Sequence, residues 1–214
     1  MRDFRLPSLI AAMADRPELW TMGHNQDHER LDLGLGWFYY GLTRSLRPSR
    51  VVVIGSWRGF APMLMAQALQ DGGLDGELVF IDPSLADGQW RSGVDEYFSG
   101  FGIHCIRHFC ETSQEFLAAG RLEPGSIDLL FIDGYHTEEQ CRLEFEGFWP
   151  LLTERAVSLF HDSSSRIISK IYGPDKRYEH TVWRFVDELR ARPELEVVNL
   201  DIAQGVAMVK RRVL

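Results

Sequence analysis

Five short apolar runs limit what this chain can fold into: Val51–Gly55 (VVVIG), Leu78–Asp82 (LVFID), Ile103–Phe109 (IHCIRHF), Ile127–Asp133 (IDLLFID) and Ala156–Asp162 (AVSLFHD). Each begins about 26 residues after the previous one, room for one strand, one crossover helix and two loops. Repeated βαβ units of this kind build a parallel sheet. Four of the runs are apolar throughout, as strands covered on both faces must be. The third carries His104, Arg107 and His108 and belongs nearer a sheet edge.

Helical signals fill the intervals. Ala61, Leu64, Met65, Ala68 and Leu69 form a stripe that stops at Asp71-Gly72-Gly73. Thr112 with Glu115 and Thr137 with Gln140 each read as a capping box opening a helix. In the second of these, Cys141, Phe145, Phe148 and Leu152 share one face, and Glu138, Glu139, Arg142 and Glu146 make a solvated one. Residues 181–190 repeat the pattern with Val182, Phe185, Val186 and Leu189. Helical stretches near 8–15 and 28–46 predict a helical N-terminal cap over residues 1–50, ahead of a Rossmann-like domain over 51–214. Trp149, Trp183 and Phe185 fall at helical spacing and are expected in the core.

The C-terminal part narrows the topology. Leu195–Leu200 and Val206–Arg211 are strand-like and are joined only by Asp201–Gly205. A parallel crossover needs about a dozen residues, so these two strands must form an antiparallel hairpin. The expected fold is therefore α/β, a doubly wound and mostly parallel sheet ending in an antiparallel β-hairpin.

Composition agrees with one globular unit: 214 residues, 45% hydrophobic and 25% charged. The formal net charge is −8, and residues 1–50 contribute none of the acidic excess. A body this acidic repels a phosphate backbone, so nucleic acid is not an expected partner. The basic cluster Lys210-Arg211-Arg212 reads as a solvated tail. Three cysteines cannot make a disulfide framework; Cys105 and Cys110 read as opposite faces of one strand and Cys141 as buried on a helix. No run is long enough for a membrane span. Asp3, Pro7 and Ser8 break any resemblance of the first residues to an export signal, so a cytoplasmic protein is expected. The oligomeric state is left open, a homo-oligomer included.

Open parallel sheets bind ligands beyond the carboxyl ends of their strands. The first strand leads into Gly55-Ser56-Trp57-Arg58-Gly59, where glycines let the backbone approach a ligand and a helix N-terminus offers free N–H groups. The second ends in Asp82, which reads either as an acceptor for two ribose hydroxyls or as a turn acid before Pro83. Asp133 and Asp162 end the fourth and fifth strands. On neighbouring strands their ends lie about 5 Å apart, close enough to share a hard divalent cation; the alternative is that each binds loop N–H groups. His136 is within reach of the same spot as a general base, or is a half-exposed residue before the Thr137 cap. His24 and His28 read as a solvated loop, with a pocket border as the other option. His104 and His108 are given no role. Ser163–Tyr178 is a polar insertion of the kind that covers substrate.

The motifs also carry a resemblance. IGSWRGFAPMLMAQAL, FIDGYHTEEQCRLEFEGFWPLL followed by LFHD, and HTVWRFVDEL are similar to segments of the class I S-adenosylmethionine-dependent methyltransferases, in a small-molecule (methyltransferase-24-like) family related to catechol and sugar O-methyltransferases. The resemblance covers about residues 45–192, and the 131–162 block is its most specific part. It implies that Gly55, Ser56, Trp57 and Gly59 line the methionine part of S-adenosylmethionine, that Asp82 holds the ribose, and that Ser113 and Gln114 lie beside the adenine. It implies further that Asp133 and His136 act on a small hydroxylated acceptor, and that Asp133 with Asp162 holds Mg²⁺ or another divalent cation. Two departures stand out: Val53 replaces the family's usual acid, and Trp57 its middle glycine. The third family metal ligand has no carboxylate counterpart, since His161 and Ser163 flank Asp162. Two other readings stay open: a nicotinamide-dependent Rossmann oxidoreductase, and a non-catalytic domain that binds a cofactor or a partner protein.

Overall fold

A computed structural model describes residues 4–73 and 75–212; Asp3, which counted against an export signal, lies outside them. The elements follow the sequence in the order α1 (Leu6–Ala14), α2 (Leu35–Leu46), β1 (Arg50–Ile54), α3 (Phe60–Gly72), β2 (Glu77–Ile81), α4 (Val94–Gly100), β3 (Ile106–Phe109), α5 (Ser113–Ala118) and β4 (Ile127–Ile132). The second part comprises α6 (Glu138–Phe148), β5 (Leu152–His161), β6 (Ile168–Ser169), β7 (Tyr178–Glu179), α7 (Val182–Arg190), β8 (Leu195–Leu200) and β9 (Val206–Arg211).

Seven strands make one sheet in the order β3-β2-β1-β4-β5-β9-β8. The first five are parallel, whereas β9 runs antiparallel to both β5 and β8. The expected terminal hairpin is present, and the further parallel strands of a dinucleotide-binding domain are not. The polar β3 is one edge strand of this sheet and β8 the other. Strand pleating divides the core into two layers. Val51, Val53, Phe80, Phe131 and Leu159 face α1 to α4, and Val52, Ile54, Ile81, Ile132 and Phe160 face α5 to α7. Leu6, Leu9, Met13 and Tyr39 of α1 and α2 share the first of these cores with α3 and the sheet.

Several local expectations need correction. The stretch 28–34 is not helical: Leu31 and Gly34 take positive φ values of 53° and 54°, and α2 starts only at Leu35. Cys105 and Cys110 flank β3 instead of lying in it. The basic cluster is no tail, because Lys210 and Arg211 belong to an internal strand, with Lys210 Nζ 2.9 Å from Glu196 Oε2. The Thr112 capping box is complete, but at Thr137 only half of one forms. Thr137 accepts the Gln140 N–H while the Gln140 side chain turns to Glu144.

Strand register positions the site. Ile54 pairs with both Ile81 and Ile132, and Ile132 pairs with Phe160. The residues that follow, Gly55, Asp82, Asp133 and His161, therefore lie side by side along one rim.

Candidate active site

That rim opens into a cleft of about 740 Å³. Gly55, Ser56, Trp57 and Asp82 line one part of it, Ser113 and Gln114 a second, and Asp133, His136 and Asp162 a third. Gly59 does not line it. It is the N-cap of α3, and a Cβ there would meet the rings of Trp90 and Phe98 at 3.1 Å. The fold itself requires glycine at position 55. Its φ is +72°, and a Cβ would lie 2.4 Å from Gly134 Cα and 2.5 Å from the Asp133 carbonyl. This close approach is to the turn that follows β4. Trp57 has φ +30°, and its indole is 43% exposed at the rim, where Nε1 donates to Asp87 at 3.3 Å.

Asp82 accepts the Ser84 N–H at 2.7 Å and is also held by the Ser56 backbone. Burial outweighs these bonds and raises its carboxyl to about 6. Ser56 Oγ is buried without a hydrogen-bond partner. Ser113 is already engaged: it donates to Glu144 at 2.9 Å and accepts Gln140 Nε2 at 3.1 Å. Burial raises Glu144 to about 7.

Four imidazoles surround the two strand-end aspartates. His161 Nδ1 lies 2.9 Å from Asp133 Oδ1 and 3.5 Å from Asp162 Oδ1. His24 Nε2 is 3.7 Å from Asp133 Oδ2, and its Nδ1 shares a 3.0 Å hydrogen bond with the Tyr39 hydroxyl. His136 Nδ1 and His180 Nδ1 approach Asp162 Oδ2 at 3.4 and 2.9 Å. Asp162 has left-handed backbone, φ +59°. Burial lowers His24 to about 3 and also lowers His136, so both are neutral bases. For His161, burial is outweighed by Asp133 and Asp162, which raise it to about 9. Asp162 stays below the usual carboxylate range because His161, His136 and His180 overcome its burial.

The insertion 163–181 closes one side. β6 and β7 pair as a small hairpin, and Thr181 clamps it down: its N–H donates to the His136 carbonyl at 2.9 Å and its hydroxyl accepts the Glu138 N–H at 2.8 Å. Tyr135 and Tyr178 stack at 4.1 Å between centroids at the cleft mouth.

The family model of a methyltransferase domain, Methyltransf_24, matches residues 52–163. The chain belongs to this methyltransferase family. The resemblance carried by the 131–162 block is thereby met, and the fold is that of the class I S-adenosylmethionine-dependent methyltransferases. An uncharacterized protein of Sinorhizobium fredii, y4gI, is 29% identical over 218 residues, covering 94% of this chain and 22% of that protein. The chain thus spans about a fifth of the length of that relative. Among solved structures, the S-adenosylhomocysteine-bound methyltransferase PaMTH1 of Podospora anserina superposes with a TM-score of 0.67 at 17% identity, covering 97% of this chain and 89% of that one. The O-methyltransferase TomG of Streptomyces achromogenes, in complex with S-adenosylmethionine, gives 0.62 at 18% identity, covering 100% and 92%. At these identities the likeness concerns the fold. No helix among the described residues is long and apolar enough to cross a membrane.

Within this methyltransferase domain, three histidines stand at the site without a role assigned from the sequence, His24 among them as the pocket-border residue that was its second reading. His24 is no solvated loop residue: it is buried against Phe60 and His161. Its backbone carbonyl accepts the Leu35 N–H at 2.8 Å, which anchors the 21–34 segment to the first turn of α2. His161 was passed over as a neighbour of Asp162, although the β4–β5 register puts it level with Asp133. His180 ends the insertion, where no motif marks it. His28 is exposed, as expected.

Proposed function

We propose that this methyltransferase domain binds S-adenosylmethionine across the ends of β1, β2 and β4 and transfers its methyl group to an oxygen of a small hydroxylated acceptor. The observation that carries the reading is the shared cleft: the Gly55 bend, the Asp82 carboxylate and the unpartnered Ser56 hydroxyl open onto the same space as His136. Asp82 suits the ribose hydroxyls, and Ser56 Oγ with Trp57 suits the methionine end. Gln114 and the bound Ser113 border the opposite end, where the adenine fits. Val53 is fully buried in the apolar core, so no acid serves the cofactor from that position.

Bound there, the sulfonium supplies an activated methyl group, and little covalent help is needed beyond alignment and proton removal. His136 is the base. Its neutral imidazole accepts the acceptor's hydroxyl proton as the oxygen takes the methyl, and the electron pair of the broken carbon–sulfur bond stays on sulfur. Asp162, 3.4 Å away, stabilises the imidazolium that forms. The insertion 163–181 excludes water over the acceptor side. The stacked Tyr135 and Tyr178 offer a flat apolar platform there.

The Mg²⁺ implied by the resemblance does not fit these residues. The His161 ring lies between the Asp133 and Asp162 carboxylates, where a hard cation would need a near-octahedral shell of oxygens. No step is assigned to it.

Calorimetric titration of the chain with S-adenosylhomocysteine tests the reading. Binding in the micromolar-to-millimolar range usual for enzyme substrates, weakened by Asp82→Asn, supports it. Absence of heat at millimolar ligand with folded protein overturns it.

A further inference from the structure

Four polar side chains close into one network at the end of the cleft where the adenine fits. Glu144 Oε1 accepts from Ser113 Oγ at 2.9 Å and from Gln140 Nε2 at 2.7 Å. Gln140 Oε1 in turn accepts from Gln114 Nε2 at 3.2 Å, and Gln114 Oε1 lies 3.1 Å from the Ser113 hydroxyl. Glu144 is 2% exposed, and its Oε2 is buried without a partner. A buried carboxyl with one oxygen unpaired costs stability, and an apolar side chain would fill the place without that cost. Packing alone does not account for an acid there.

The network has a fixed direction. A carboxyl oxygen that already takes two hydrogen bonds is an acceptor, whether the group is ionised or carries its proton on the other oxygen. Gln140 must therefore turn its amide nitrogen to Glu144 and its oxygen to Gln114. Gln114 must present nitrogen to that oxygen, because the flipped amide would set two carbonyl oxygens 3.2 Å apart. An amide has two N–H groups and a carbonyl with two lone pairs, so Gln114 keeps one donor and one acceptor for the cleft it lines. Side by side, these match an adenine edge, where the 6-amino donor adjoins a ring-nitrogen acceptor. Hypoxanthine, with oxygen at position 6, sets an acceptor against the amide oxygen.

We infer that Glu144 and Gln140 are positioning residues that lock the Gln114 amide, and so make the site selective for adenine over a 6-oxopurine. They act through Gln114 and not on the base itself. The inference rests on the methyl-transfer reading, which puts Ser113 and Gln114 beside the base, and adds to it the source of base selectivity.

Calorimetry on the full chain with S-adenosylhomocysteine and with its deaminated analogue, S-inosylhomocysteine, reads the selectivity as a ratio of affinities. The wild type should prefer the adenine compound about 10- to 100-fold, the effect of leaving one polar group mismatched. Glu144→Leu frees the amides to turn and should lower that ratio about tenfold. Glu144→Gln, which keeps an acceptor in the place of Oε1, should retain it. Gln140→Met breaks the link to Gln114 at a half-buried position and should lower the ratio as the leucine variant does. If Glu144→Leu fails to fold, Gln140→Met decides. A purely structural role for Glu144 would weaken both ligands alike and leave the ratio unchanged, which overturns the inference. So does a wild type without preference, or an equal fall in Glu144→Gln and Glu144→Leu. These outcomes, with S-adenosylhomocysteine bound, defeat this inference alone. Failure of the wild type to bind S-adenosylhomocysteine defeats the cofactor reading, and this inference with it.

Discussion

Asp162 Oδ2 lies 3.4 Å from His136 Nδ1, across the junction between the end of β5 and the turn into α6. Asp162 makes this contact from left-handed backbone, φ +59°. A base with this support gains on accepting a proton, because the carboxylate is already ionised and the imidazole already neutral. His136→Ala should lower kcat by about 10²–10⁴, the usual worth of a general base, and leave S-adenosylhomocysteine affinity within a factor of two. Single-turnover methyl transfer and calorimetry on the same preparation separate the two effects. An unchanged kcat would remove His136 from the chemistry.

Asp82 links cofactor affinity to pH. Burial raises it to about 6, and only the ionised carboxylate accepts from both ribose hydroxyls. Affinity for S-adenosylhomocysteine should therefore be flat above about pH 7 and fall as pH drops through about 6. Asp82→Asn should weaken binding about 10- to 100-fold, in line with 1.5–3 kcal/mol for hydrogen bonds to a charged group. It should also remove the pH dependence. Calorimetric titrations across that window check both outcomes.

Glu144 predicts a stability effect of the opposite pH sense to an ordinary salt-bridged acid. Burial raises its carboxyl from 4.5 to about 7. Its contribution is complete below about pH 4.5 and is lost as pH rises through about 7, on the order of 3 kcal/mol for a shift of that size. Glu144→Gln keeps an acceptor for Ser113 and Gln140 but cannot ionise. In urea unfolding the variant should gain on the wild type as pH goes from about 5 to 8. A constant difference across that range would mean that the carboxyl is not buried as described.

Gly55→Ala tests the packing of the β1–α3 turn against the turn that follows β4. The added methyl meets Gly134 Cα at 2.4 Å and the Asp133 carbonyl at 2.5 Å, and the backbone has φ +72°. A loss of about 3 kcal/mol or more is expected. Gly93→Ala has nearly the same φ, +71°, with nothing within 4 Å, and should cost only about 1 kcal/mol. Equal losses in the two variants would show that conformation alone, and not the approach to β4, makes glycine necessary at 55.

The sheet was readable from the sequence because each parallel strand is buried on both faces and so spells itself as an apolar run. Gly55, Asp82 and Asp133 were readable because each is the first polar or glycine residue after such a run, and Asp162 because it closes the fifth run as Asp82 and Asp133 close theirs. The pairing partner of Asp133 was not. The β4–β5 register shifts between Ile127 and Leu129, and β5 begins at Leu152, earlier than its apolar stretch. Only that register puts His161 opposite Asp133. For His24 the sequence left a solvated loop and a pocket border side by side, because the segment 21–34 has no period and the Leu35 to His24 hydrogen bond that anchors it is a tertiary fact. The expected helix over 28–34 failed on positive φ values that apolar spacing does not record.

Strand β9 follows β5 and β8 in sequence but lies between them. During synthesis β5 must therefore wait with a bare hydrogen-bonding edge until residues 206–211 have left the ribosome, and β8 waits without a neighbour. The strand in question is the one whose end bears His161 and Asp162. A nascent chain in this state can assemble its first four strands in order but not the rim that carries the proposed site, and its unpaired edge is open to another growing chain.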